Sequence, residues 1–195
     1  MAPLAMLALL LPAAHAVEGA VAVDLLHEAV ALPGLAGVEV LTGPLHPGAQ
    51  LEGTLRYGGG ERFAFGQGLR VVGWTHEGVG GSLFLSTLFR VELGLPVGLR
   101  LWLDPAELGA GFAFLPGTRY EVTESGLEPG RDPPDLRLLF ASGLGLGWRV
   151  GDSPWSLRLG YRAGLELSPP AVFEIPFLPR STLGIGVARA LGGAP

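Results

Sequence analysis

The chain has 195 residues, with 18 acidic and 13 basic side chains, a net charge of −5 and no cysteine; every basic residue is arginine. That length fits one domain, the lack of cysteine leaves no disulfide framework or thiolate site, and an acidic chain without a basic cluster argues against nucleic acid as a partner. Hydrophobic residues make up 48% and glycine supplies 32 positions, yet no run after residue 16 has the ~20 apolar residues of a transmembrane helix.

Residues 1–16 read as a secretory signal peptide. An apolar run from Met1 to Pro12 precedes Ala14-His15-Ala16, which fits small-x-small cleavage. No Lys or Arg precedes the run, so a buried N-terminal helix is the competing reading. Residues 17–195 are then expected to form one domain.

Beyond the leader, apolar residues recur at every second position. The first segment, 19–41, is the least defined, carrying Val21, Val23, Leu35, Val38 and Val40. Residues 49–57 set Leu51, Leu55 and Tyr57 against Glu52, Thr54 and Arg56, and 63–75 set Phe63, Phe65, Leu69 and Val71 against Arg62, Gly66, Gly68 and Arg70. In 81–93, Leu83, Leu85, Thr87, Phe89, Val91 and Leu93 oppose Ser82, Ser86, Arg90 and Glu92, with Phe84 and Leu88 as exceptions that a barrel interior can take. A period of two places each set on one face of a strand.

Residues 97–114 switch phase from Val97, Leu99, Leu101 and Leu103 to Leu108, Ala110, Phe112 and Phe114, with Asp104-Pro105 at the switch. A bulge is expected there because proline cannot donate to the ladder. Strands over 136–148, 155–167 and 181–191 complete the series; the middle one alternates without exception from Trp155 to Leu167.

The connections alternate between short and long, as in outer-membrane barrels with short periplasmic turns and longer outer loops. Outer loops are expected at 42–48, 77–80, 115–135 and 168–180, and turns at 58–61, 94–96 and 150–154. For the strand at 49–57 to run inward, another must run outward before it, which makes eight. The expected fold is therefore all-β: an antiparallel up-and-down transmembrane β-barrel of about eight strands. Aromatic girdles are expected from Tyr57, Phe63, Trp148 and Trp155 at the periplasmic end and Trp74, Phe112, Phe114 and Phe140 at the outer end.

With apolar side chains toward lipid, the lumen receives Glu52, Arg56, Arg70, Arg90, Glu92, Arg100, Arg137, Arg158, Arg162 and Glu166. Such charges are expected to pair with one another and with water. An interior of eight strands is just wide enough for side chains to fill it, so a plugged lumen is expected. The Arg excess on this face leaves a narrow anion channel as an alternative. A soluble, lipocalin-like barrel would turn the same charges to solvent and the apolar face inward.

Catalytic candidates are few. His76, beside Thr75 and Glu77, lies close in sequence to Ser82 and Ser86, and an imidazole with a hydroxyl and a carboxylate would suit a lipid A-modifying acyl hydrolase or transferase. His27 and His46 belong to the same inventory, though His46-Pro47-Gly48 reads first as a turn into a strand. No metal-ligand cluster and no phosphate loop is evident, and no cofactor is expected. The acidic residues Glu121, Glu124, Glu128, Asp132 and Asp135 read as a solvated loop, with Ca²⁺ or cation-bridged lipopolysaccharide as the alternative.

Four motifs carry a resemblance: His46-Pro47-Gly48, Gly73-Trp74-Thr75-His76, Leu108-Gly109-Ala110-Gly111-Phe112 and Leu178-Pro179-Arg180-Ser181-Thr182-Leu183. Over residues 44–191 the chain resembles a group of uncharacterised Gram-negative outer-membrane β-barrel proteins. The resemblance implies fold and location without an assigned reaction. It also implies outer-membrane lipid, lipopolysaccharide and the barrel-assembly machinery as partners. Such barrels commonly end on an aromatic residue, whereas this chain ends Leu191-Gly-Gly-Ala-Pro195. The expected role is structural or adhesive through the outer loops, with the enzyme and the anion channel as alternatives.

Overall fold

A strand with one apolar and one charged face can bury the charged face only by closing on itself, and this chain does so. The computed structural model describes residues 18–29, 44–59, 62–76, 80–114, 119–123, 126–130, 135–168 and 177–191. Its strands are β1 (Glu18–Ala29), β2 (Pro47–Gly59), β3 (Phe63–His76), β4 (Gly80–Gly94), β5 (Leu99–Phe114), β6 (Arg119–Thr123), β7 (Gly126–Gly130), β8 (Asp135–Arg149), β9 (Trp155–Leu167) and β10 (Phe177–Leu191). Eight of them form a closed antiparallel barrel in the order β1-β10-β9-β8-β5-β4-β3-β2, while β6 and β7 make a separate hairpin. Closure pairs each wall strand on both sides, which is what a backbone in hydrocarbon requires. Among the described residues no helix is long and apolar enough to cross a membrane.

β1 is the eighth strand inferred from connection parity, but its place differs from expectation. It ends at Ala29 and pairs with β2 from Glu18 opposite Arg56 to His27 opposite Pro47. Pro47 and Gly48 are therefore strand and not part of the expected outer loop at 42–48, of which residues 44–46 are non-strand and 42–43 lie outside the described residues. Leu35, Val38 and Val40 lie outside the described residues, as does the leader, 1–16. β10 likewise begins at Phe177, not at 181, because the pairing of Phe177 with Leu167 carries the ladder through Pro179 and Arg180.

The phase switch in β5 is a one-residue bulge. Val91 opposes Leu103 and Phe89 opposes Ala106 on the β4 side, while Asp104 opposes Gly143 and Glu107 opposes Ala141 on the β8 side. Pro105 and Ala106 take the extra position and face outward. The bulge turns both Asp104 and Glu107 into the lumen.

The exterior is apolar. Leu25, Leu69 and Ile185 are 68%, 63% and 65% exposed, whereas the carboxylates Glu52, Glu107 and Glu166 are each 1% exposed. This polarity is the reverse of a soluble barrel, so the lipocalin-like alternative is overturned. Burying Leu, Ile and Phe side chains recovers roughly 1.5–3 kcal/mol each, and here only a lipid phase can supply that burial.

Candidate functional site

Every charged residue assigned to the lumen from the sequence faces the interior, in three tiers along the axis. The central tier is built on Glu52. Its carboxylate accepts hydrogen bonds from Arg70 (Nη2, 2.6 Å), Arg90 (Nη1, 2.6 Å) and Arg158 (Nη1, 3.0 Å), and from the Thr54 hydroxyl at 3.1 Å. Arg90 also forks onto Asp104, Nε and Nη2 each at 2.7 Å, the two-point geometry that makes Arg–carboxylate pairs strong. Glu107 accepts from Arg70, from Arg162 at 3.2 Å and from the Ser86 hydroxyl at 2.6 Å. Asp24 accepts from Gln50 and faces Arg158 at 3.6 Å.

Toward the long connections lies a chain of ion pairs in which Glu28 and Glu166 flank Arg180, and Glu166 also takes Arg137 at 2.5 Å. Between this tier and the centre sits an apolar plug of Leu26, Val72, Trp74, Phe84 and Leu139. The Trp74 and Phe84 rings stack at 5.5 Å, and the Arg180 guanidinium lies 5.0 Å above the Trp74 ring. The third tier, at the short-turn end, joins Glu18, Arg56, Glu92 and Arg100.

Side-chain size explains the glycines that face inward. Trp102 projects into the lumen, with the Arg158 guanidinium 4.9 Å and the Arg90 guanidinium 5.4 Å from its ring centroid. A Cβ at Gly145 would collide with that indole, and one at Gly111 would collide with Phe84. The glycines of Leu144-Gly145-Leu146-Gly147 thus make room for an aromatic side chain across the barrel interior.

Two expectations change. Trp74 is not part of an aromatic girdle: it is 3% exposed and plugs the lumen, because its even phase in β3 opposes that of Phe63, Phe65, Leu69 and Val71. Phe63, Trp148, Trp155, Phe112, Phe114 and Phe140 are exposed on the outer face, and Tyr57 follows Leu55 in phase on that face, half-buried. The Arg excess also disappears. Asp24, Glu28, Asp104 and Glu107 were not assigned to the lumen from the sequence, and they match the arginines with carboxylates. Arg180 and Trp102 were missed too. Phase alone would have found Trp102, Asp104 and Glu107, since each lies opposite its apolar neighbours; Glu28 and Arg180 lay at strand ends read as loop.

Of the catalytic candidates, Ser82 lies two residues along the ladder from the His76 backbone, and Ser86 is set apart. The His76 backbone closes β3 opposite Gly80, whereas Ser86 lies opposite Arg70, six residues and about 20 Å along the strand. The Ser86 hydroxyl is committed to Glu107, and Ser82, opposite Trp74, is buried inside the wall. His46 donates its backbone N–H to His27 Nδ1 at 3.2 Å, and its own Nδ1 meets the Glu28 carbonyl at 3.2 Å. Among the described residues no group of three or more His, Asp or Glu side chains is placed to hold a metal ion. The side chains of Glu121, Glu124, Glu128 and Asp132 lie outside the described residues; Asp135 faces Arg137 at 3.8 Å.

An apolar outer belt, a closed ladder and an internally paired lumen define the class: an integral eight-stranded β-barrel of the bacterial outer-membrane type. No family model and no curated protein matches the chain in sequence. Among solved structures, the chain is similar to Ail, the attachment invasion locus protein of Yersinia pestis. The TM-score is 0.50 at 12% identity, covering 90% of this chain and 99% of that one. Ail in complex with the heparin analogue sucrose octasulfate gives 0.51 at 13% identity, again over 90% and 99%. Neisserial surface protein A gives 0.48 at 11% identity, covering 89% and 96%. These likenesses are of fold.

Proposed function

We propose that the chain is a non-enzymatic, non-conducting outer-membrane barrel that presents its long connections at the cell surface in a structural or adhesive role. The observation that carries this reading is the filled lumen. Between the two ends stand the Glu52-centred ion pairs and the Trp74–Phe84 plug, and the void among Asp24, Arg158 and Arg162 is about 30 Å³, room for about one water. The β6–β7 hairpin supports the surface role, since it adds ordered backbone outside the barrel wall. In this reading residues 1–16 are removed on export, the barrel-assembly machinery inserts the chain, and the belt meets outer-membrane lipid and lipopolysaccharide.

Planar-bilayer recording of the refolded full-length protein tests it. No reproducible conductance steps are expected. Unitary steps that scale with salt concentration would overturn the non-conducting reading.

A further inference from the structure

The lumen is filled at its centre but not at the short-turn end. There a vestibule of about 560 Å³ opens inside the wall, with Trp102 at its floor and Arg56, Arg100, Arg149, Glu18 and Glu92 around it. That volume is in the range of small-molecule sites. Elsewhere in the lumen each arginine is matched by a carboxylate, but here the matching fails.

Glu18 takes Arg56 at 2.8 Å. Glu92 stands 3.6 Å from Arg100 and 3.9 Å from Arg56, beyond hydrogen-bond reach of both, and the Arg100 side chain keeps 39% of its surface exposed. Arg149 has no ion pair with any described carboxylate. Asp152, the further acid at the rim, is exposed on the turn.

The register places the two under-used arginines together. Arg100 lies opposite Gly147, and Arg149 is two residues beyond Gly147 on the same face of β8. Diagonal neighbours of this kind are within reach of long side chains, and the edge of the Trp102 ring packs over Gly147 between them. Two neighbouring guanidinium forks lining one vestibule suit a planar carboxylate or a phosphate, which each can bind bidentately.

We infer that the vestibule binds a water-soluble small molecule bearing a carboxylate or phosphate, which enters from the short-turn end and is held by Arg100 and Arg149 above Trp102. The site is a blind pocket and is compatible with a closed lumen. It lies inside the wall, so its ligand is a solute and not the headgroup of a surrounding lipid.

The test is isothermal titration of the refolded full-length protein with citrate and with inorganic phosphate, in phosphate-free maltoside micelles. Saturable binding of at least one probe is expected, together with chemical-shift changes at the Arg100 and Arg149 Nε–H resonances. Arg149→Gln, which removes no ion pair and so leaves the fold intact, should weaken binding at least ten-fold. Arg189→Gln, a surface arginine outside the vestibule, should leave binding unchanged. Absence of saturable binding by both probes, or equal affinity in Arg149→Gln, overturns the proposal. Loss of citrate binding on transfer to phosphatidylglycerol nanodiscs would assign the site to lipid phosphate and overturn the solute assignment.

Discussion

Glu52 is the residue on which the interior turns. Three arginines from β3, β4 and β9 converge on one carboxylate that is 1% exposed, so its loss leaves buried cations facing one another. Removing one partner of a buried pair costs about 3–5 kcal/mol. Glu52→Gln is therefore expected to lower the unfolding free energy by about that amount in urea titrations in phospholipid vesicles. Val97 offers the opposite case: it sits in the β4–β5 turn at φ 62°, a left-handed conformation in a β-branched residue. Such a conformation costs about 1–2 kcal/mol, of which glycine returns a part as chain entropy. Val97→Gly should stabilise the protein by about 0.5–1 kcal/mol in the same titration.

At the scale of the strand, the bulge in β5 decides which side chains are wet. Removing Ala106 would leave Pro105 as the single outward residue between Asp104 and Glu107 and restore a regular ladder with the pairing on both sides kept. Glu107 would still face the lumen, and Leu108, Phe112 and Phe114 would still face outward. The Ala106 deletion is expected to keep the heat-sensitive, fast-migrating folded band on gels. The phase switch was legible because leucines mark both halves of the strand, and the Asp104-Pro105 step named the place. What was not drawn from the sequence is that the switch brings two carboxylates inward, opposite Arg90 on one side of the lumen and Arg70 and Arg162 on the other. The ends of β1 and β10 were harder to read. Arg180 follows Pro179 and Glu28 precedes a long connection, so each looks like loop until its partner strand is placed beside it.

The whole molecule separates a rigid wall from the connection that carries β6 and β7. That hairpin pairs only with itself among the described residues, while the ends of β5 and β8 are held by direct pairing from Ala113 opposite Asp135 onward. Replacing residues 115–134 with a short Gly-rich turn is expected to leave the urea midpoint unchanged, because β6 and β7 pair with no wall strand and β5 and β8 hold each other directly. The same variant should abolish adhesion of expressing cells if the hairpin is the adhesive element, which a cell-binding assay reads directly. The paired charges lie inside the wall and are screened little by salt. Raising the salt concentration should therefore shift the unfolding midpoint far less than Glu52→Gln does.

The sequence by itself determined the wall. Strict alternation, a phase switch at a proline and the parity of the connections specify eight strands with their apolar faces outward, because these are local properties of a backbone with a period of two. It also limited what the lumen contains, since a charged face must close on itself in lipid. Only the tertiary structure decided how those charges are matched and where they are not. Which arginine meets which carboxylate, why Trp74 plugs the lumen while Trp148 faces out, and why Arg100 and Arg149 face a vestibule all depend on register between strands distant in sequence. Register is fixed by packing across the barrel, where each large side chain needs a glycine opposite it and each buried cation needs an acid within reach.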